Sequence, residues 1–152
     1  MDIVLTLHNI LRWLVLLTGL LAVIGAIGGL SGRKPYTARD SRMNLFFMIS
    51  CDIQLLLGLV LFMTNGWWAR IRDSGMGTVM KDSYNRFFTV EHAMIMIIAW
   101  ILVHIGRSSV KKAATDTARH RKVLLFSGIA LLLILISIPW PFREIVGRPW
   151  FR

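Results

Sequence analysis

Carboxylates are scarce in this chain: 8 Asp and Glu stand against 18 Lys and Arg, a formal net charge of +10. Such an excess can serve nucleic acid, but here the cations gather at the ends of oily runs, where positive-inside bias and lipid phosphates account for them. No nucleic-acid partner is expected. Cysteine occurs once, as Cys51 inside an apolar run, which excludes an intramolecular disulfide and leaves the redox compartment unread. It reads as a small buried hydrophobe. The opening "MDIVLTLHNI" lacks the basic stretch of a cleavable signal, so the first apolar run is expected to belong to the mature protein. Internal repeats, low-complexity tracts, phosphate-cradling glycine loops and nucleophilic triads are also missing. Without substrate-transforming residues, an electron carrier or a subunit is expected rather than a complete enzyme.

What is abundant is apolar residues. They make up 55% of the chain, with a mean hydropathy of +0.60, beyond the range of ordinary soluble domains. A bilayer core ~30 Å thick takes ~20 apolar residues per spanning helix. Runs near 3–30, 44–64, 87–106 and 123–141 satisfy that length. The expected fold is all-α: a single domain over 1–152, an integral membrane four-helix bundle running up-down-up-down in the lipid bilayer. The connectors 31–43 (Arg33, Lys34, Arg39, Arg42) and 107–122 (Arg107, Lys111, Lys112, Arg119, Arg121, Lys122) carry most of the cations. By the positive-inside rule both lie inside, giving an N-out, C-out topology.

Punctuation supports these boundaries. Glycines and then Pro35 stop the first run, Gly25 and Gly29 are spaced for close helix packing, and Pro139 and Pro141 end the fourth. Trp67 and Trp68 read as an interface belt at the start of the long connector 65–86. Its second half, 77–86, is either a short surface helix or an ordered lid over a site below it.

Six ionisable residues lie inside the oily runs: His8, Arg12, Asp52, Glu91, His92 and His104. Each costs roughly 2.5 to 3.5 kcal/mol at depth, so each should face the interior and have a partner or a task. At 1.5 Å per residue, His8 lies ~6 Å and His92 ~7 to 8 Å below the same interface. Their helices run the same way and should be diagonal, roughly 11 to 14 Å apart for neighbours at 8 to 10 Å. A flat metallocofactor with one imidazole on each side would span that gap. The faces below them, Arg12, Val15, Gly19, Ala22 and Ala26 on one helix and Met96, Ala99, Val103 and Gly106 on the other, are largely small. Small residues suit either a macrocycle or tight packing.

His104, twelve residues beyond His92, is turned by about 120° and displaced by ~18 Å, so it reads as an interfacial residue beside Arg107. His120, in "DTARHRK", reads as a solvated loop residue. Arg12 and Asp52 differ in depth by roughly 6 Å, which makes an ion pair the first expectation. The alternative is a protonatable Asp52 in a quinone site or proton path. Glu91 either competes for Arg12 or accepts a hydrogen bond from an imidazole.

"LHNILRWLVLL", "VEHAMIMIIAWILVHIGRS" and "KKAATDTARHRKVLLFSGIALLLILISIPWPFR" together resemble a family of small bacterial four-helix membrane proteins labelled cytochrome b-like. The resemblance covers nearly the whole chain. It implies a bacterial inner (cytoplasmic) membrane protein with haem b, His8 and His92 being the axial iron ligands. One haem is the most that the histidines accommodate. The expected function is a single-haem cytochrome relaying electrons, with quinone or within a larger respiratory complex, Arg12 supporting a propionate or bundle charge. The alternative is a cofactor-free accessory subunit of a larger inner-membrane complex.

Overall fold

The computed structural model describes residues 3–150, and among them it is helical with no strand. Four long helical stretches have the length and composition to cross a membrane: Ile3–Ser31, Ala38–Thr64, Ser83–Lys111 and Asp116–Ser137. The chain is therefore a multi-pass membrane four-helix bundle. We label the helices α1 (Ile3–Ser31), α2 (Ala38–Thr64), α3 (Trp67–Ser74), α4 (Met76–Lys81), α5 (Ser83–Arg86), α6 (His92–Lys111) and α7 (Asp116–Ser137), with a π-helical turn at Phe87–Glu91 leading into α6. Helix α1 packs on α2 and α7, and α6 packs on α7 and α2, so α1 and α6 face each other across the diagonal. Between α2 and α6 runs the thinnest of the four seams.

Local chemistry sets the ends. Helix α2 begins six residues before the expected apolar run because Thr37 and Asp40 form a reciprocal capping box, the Asp40 carboxylate accepting from the Thr37 backbone N–H at 2.8 Å. Thr115 caps α7 by accepting from the Ala118 N–H, which starts that helix at Asp116 rather than near 123. Pro139 forces Ile138 into an extended conformation and ends α7 at Ser137. At the end of α1 the left-handed position falls on Arg33 (φ 47°) rather than on neighbouring Gly32. The segment 77–86 is helical, and Val79 is buried within it.

The core is a column of Val15, Phe47, Ala99, Val103, Ala130 and Ile134. Leu17, Leu56, Ile101, Ile129 and Leu132 point outward and are exposed, as a lipid-facing surface requires. Both small-residue faces are buried as the helical register predicts, from Arg12 to Ala26 on α1 and from Ala99 to Gly106 on α6. Around Gly19 and Gly106 these faces are closely packed. A Cβ added at Gly19 would lie 2.8 Å from the Phe47 ring, and one at Gly106 would lie 2.5 Å from Phe126 Cβ.

After α7 the tail folds back over the end of the bundle that carries the N-terminus. The Arg148 N–H donates to the Pro139 carbonyl at 3.0 Å and the Gly147 N–H to the Arg143 carbonyl at 2.8 Å. Trp140 and Trp150 then cluster on Trp13, with ring centres 6.2 and 6.0 Å from it. Gly147 is required here, since a Cβ would lie 2.5 Å from the Arg143 carbonyl oxygen.

Candidate functional site

At that end of the bundle a cavity of about 280 Å³ opens between the helices, and His8 and His92 both line it. Their ring centres are 6.5 Å apart and their planes are inclined by 67°. The equal depth and diagonal placement expected from the sequence thus bring the two imidazoles to face across one space.

His92 is fixed. Its Nδ1 lies 2.8 Å from the Ser137 carbonyl oxygen, which only accepts, so Nδ1 carries the proton and Nε2 keeps its lone pair. That is the tautomer a metal-binding imidazole adopts when a carbonyl orients it. The carbonyl is available because α7 ends at Ser137. The π-helical turn directly before His92 widens the helix there and sets the register with which the ring enters the bundle.

His8 has no such anchor: its Nδ1 is buried without a hydrogen-bond partner. Gln54 holds the turn beneath it by donating to the His8 backbone carbonyl at 2.9 Å, and Gln54 Oε1 is likewise buried and unpartnered. The cavity is therefore bordered by an unpaired ring nitrogen and an unpaired acceptor.

Arg12 also lines this space, 6% exposed, and makes no ion pair among the described residues. Its guanidinium donates to the Trp150 carbonyl at 2.9 Å and lies 5.2 Å from the Trp13 ring centre and 5.9 Å from that of Trp140. The expected Arg12–Asp52 pair is not formed, because the returning tail supplies Arg12 with a carbonyl and aromatic faces instead. A second guanidinium, Arg148, reaches the cavity wall from the tail, donating to the Tyr84 hydroxyl and stacking over Phe88 at 5.0 Å. Among the described residues no acidic side chain lines the cavity. It is a cationic space walled by Val15, Ala99, Ile134 and Ile138 from the core and by Trp67 and Phe88 from the connector side.

Asp52 belongs to another cluster, on the α2–α6 seam. Its Oδ1 accepts from Trp100 Nε1 at 2.6 Å and from His104 Nε2 at 2.7 Å, and the Trp100 and His104 rings are 4.5 Å apart. His104 is therefore paired with Asp52 of α2, ~10 Å before the end of α6 at Lys111. Arg107 instead turns inward to the Ser41 carbonyl and hydroxyl, both at 3.1 Å. Side chains of Asp52 and His104 remain about one-third exposed, at 34% and 36%. Asp52→Ala strands two donors at membrane depth and is expected to cost about 1 to 3 kcal/mol in thermal unfolding of the detergent-solubilised protein. Asp52→Asn keeps an acceptor oxygen and should cost less; equal losses would show that Trp100 and His104 do not depend on it.

Glu91 pairs with Arg86 Nε at 2.7 Å, and among the described residues it makes no ion pair with Arg12 or an imidazole. His120 is a further correction. It is 1% exposed in α7, its ring 5.1 Å from Tyr36 and both nitrogens unpartnered. Arg148 was beyond sequence reasoning, because only the fold-back of the tail brings it to the cavity.

The donor set suits a haem. His8 and His92, with ring centres 6.5 Å apart on one cavity, are the residues that would hold its iron. Arg12 and Arg148 at the cavity match the carboxylates of such a group, and the cavity volume is close to the lower bound of ~300 Å³ for ligand sites. Fold and cavity together define a multi-pass membrane bundle with a paired-imidazole site. No family model, curated protein or solved structure matches the chain.

Proposed function

We propose that this protein is a single-haem b-type membrane cytochrome, with His8 and His92 as axial ligands, relaying electrons as a carrier or as a subunit of a larger complex. The observation that carries this reading is the facing pair of imidazoles 6.5 Å apart, one of them locked with its Nε2 free. A haem supplies a one-electron couple. The chain's own residues do the rest. The Ser137 carbonyl orients His92 and increases its basicity as a ligand. Arg12 and Arg148 would offset the negative charge of propionates, and the apolar wall would exclude water, which bears on the potential. The resemblance to cytochrome b-like proteins supports the same reading, and with it a bacterial inner membrane and a quinone or respiratory complex as redox partner.

The test is an absorption spectrum of protein purified after expression with ample haem. The expected result is a Soret band and, on reduction, split visible bands, retained in His104→Ala. A colourless but folded preparation overturns the proposal. That outcome favours a second reading, a cofactor-free accessory subunit, which the partly exposed Asp52–His104 pair supports. A polar pair on an otherwise apolar outer face is costly against lipid and better placed against another membrane protein.

A further inference from the structure

At the opposite end of the bundle a second cleft, of about 310 Å³, lies between the α1–α2 connector and the junction of α6 with α7. Its polar wall consists of Tyr36, Thr37, Ser41, Arg107, Lys111 and Arg119. The elements that build it converge for reasons already visible in the fold. The Thr37 capping box starts α2 beside the end of α1, and Thr115 starts α7 just after α6 ends.

Two of these residues bring polar atoms withdrawn from solvent. Arg107 spends one terminal nitrogen on Ser41 and, at 3.4 Å, on Asn44 Oδ1, while its Nε is buried and unpaired among the described residues. The Tyr36 hydroxyl is buried too, beside the Ser41 side chain. Burial pushes the Tyr36 hydroxyl above its ordinary pKa, so near neutrality it remains an O–H donor.

Charge adds to this. Lys111 is exposed and makes no ion pair among the described residues. The carboxylates nearby are already engaged: Asp116 holds Arg119 at 3.1 Å, and Asp40 accepts from the Thr37 N–H and hydroxyl at 2.8 and 2.6 Å. Three cations face two occupied carboxylates, leaving the cleft positive.

We propose that this cleft binds a phosphate group. A tetrahedral anion offers several acceptor oxygens, which suits convergent donors from a guanidinium, an ammonium and a phenol. The cleft lies where the spanning helices end, which is the level of lipid headgroups. A phospholipid headgroup and a soluble phosphate share this chemistry, and the two are separable by experiment. The proposal does not depend on the haem reading, since the cleft and the histidine cavity are at opposite ends of the bundle.

Delipidated full-length protein in neutral detergent is titrated in two arms. The first measures its thermal midpoint with inorganic phosphate against chloride at matched ionic strength. The second measures retention of phosphatidylglycerol and of phosphatidylcholine by native mass spectrometry. Selective retention of phosphatidylglycerol with no response to inorganic phosphate identifies a lipid headgroup. A midpoint raised by inorganic phosphate without lipid selectivity identifies a soluble phosphate. In either case Arg107→Gln should weaken binding at least about tenfold. Because Arg107 also contacts Ser41 and Asn44, Lys111→Gln on the exposed rim provides the control that leaves the fold intact, and it too should weaken binding. No response in either arm, or binding unchanged in both folded variants, overturns the proposal.

Discussion

His92→Ala is expected to abolish the Soret band and the split reduced spectrum while leaving a folded bundle. The imidazole joins the Ser137 carbonyl to the cavity, so removing it deletes the proposed ligand and its orienting hydrogen bond together. Fold retention follows from the packing. The core column from Val15 to Ile134 does not include His92. The space left is the volume of an imidazole, next to a cavity already present. Free imidazole added to the variant should therefore re-enter it and restore the spectrum, an outcome that merely structural damage would not give. His8→Ala should lose the spectrum as well. Lacking a protein hydrogen bond on Nδ1, it should lose less stability than His92→Ala. A reduced spectrum that is unchanged in both variants would remove these residues as ligands.

The histidine pair was legible because it needs only two quantities the sequence provides, helix rise and direction. Both residues sit near the start of same-direction spans, so errors in tilt and length are small over ~6 to 8 Å. Asp52 and His104 were not legible for the converse reason. Their depths are counted from the other end, where the apolar run stops at Gly106 but the helix runs on to Lys111. Arg107 looked like the membrane boundary, whereas it turns inward to Ser41 and Asn44. Helix α2 also adjoins both α1 and α6, and composition does not say which seam a carboxylate enters. The Arg12–Asp52 pair assumed the first, and the structure uses the second.

Helix number and order, and the inward faces of α1 and α6, followed from apolar length and period, which dominate in a membrane bundle. The ends did not, because caps such as Thr37–Asp40 and Thr115 lie in polar segments where hydropathy is silent. His120 shows the cost of relying on hydropathy alone. Its neighbours Arg119, Arg121 and Lys122 suggested a solvated loop. Yet His120, Val123, Ser127, Ala130 and Ile134 recur at helical spacing and are all buried on one face of α7.

That position predicts the largest steric effect in the chain. An added Cβ at Gly29 would lie 2.3 to 2.6 Å from three atoms of the His120 ring, well inside contact distance. The ring has no easy retreat, because Tyr36 packs on it at 5.1 Å and its residue is 1% exposed. Gly29→Ala should therefore destabilise the protein by about 1 to 3 kcal/mol, the range for overpacking a filled interior, read as a lowered thermal midpoint in detergent. The double variant Gly29→Ala with His120→Ala distinguishes this contact from a general loss of glycine packing. Once the ring is gone the methyl group has room, so the two changes together should cost less than their sum by about 0.5 to 3 kcal/mol. Additive losses, or a Gly29→Ala protein as stable as the parent, would return His120 to the solvated position its charged neighbours suggest and separate α1 from α7 at this level.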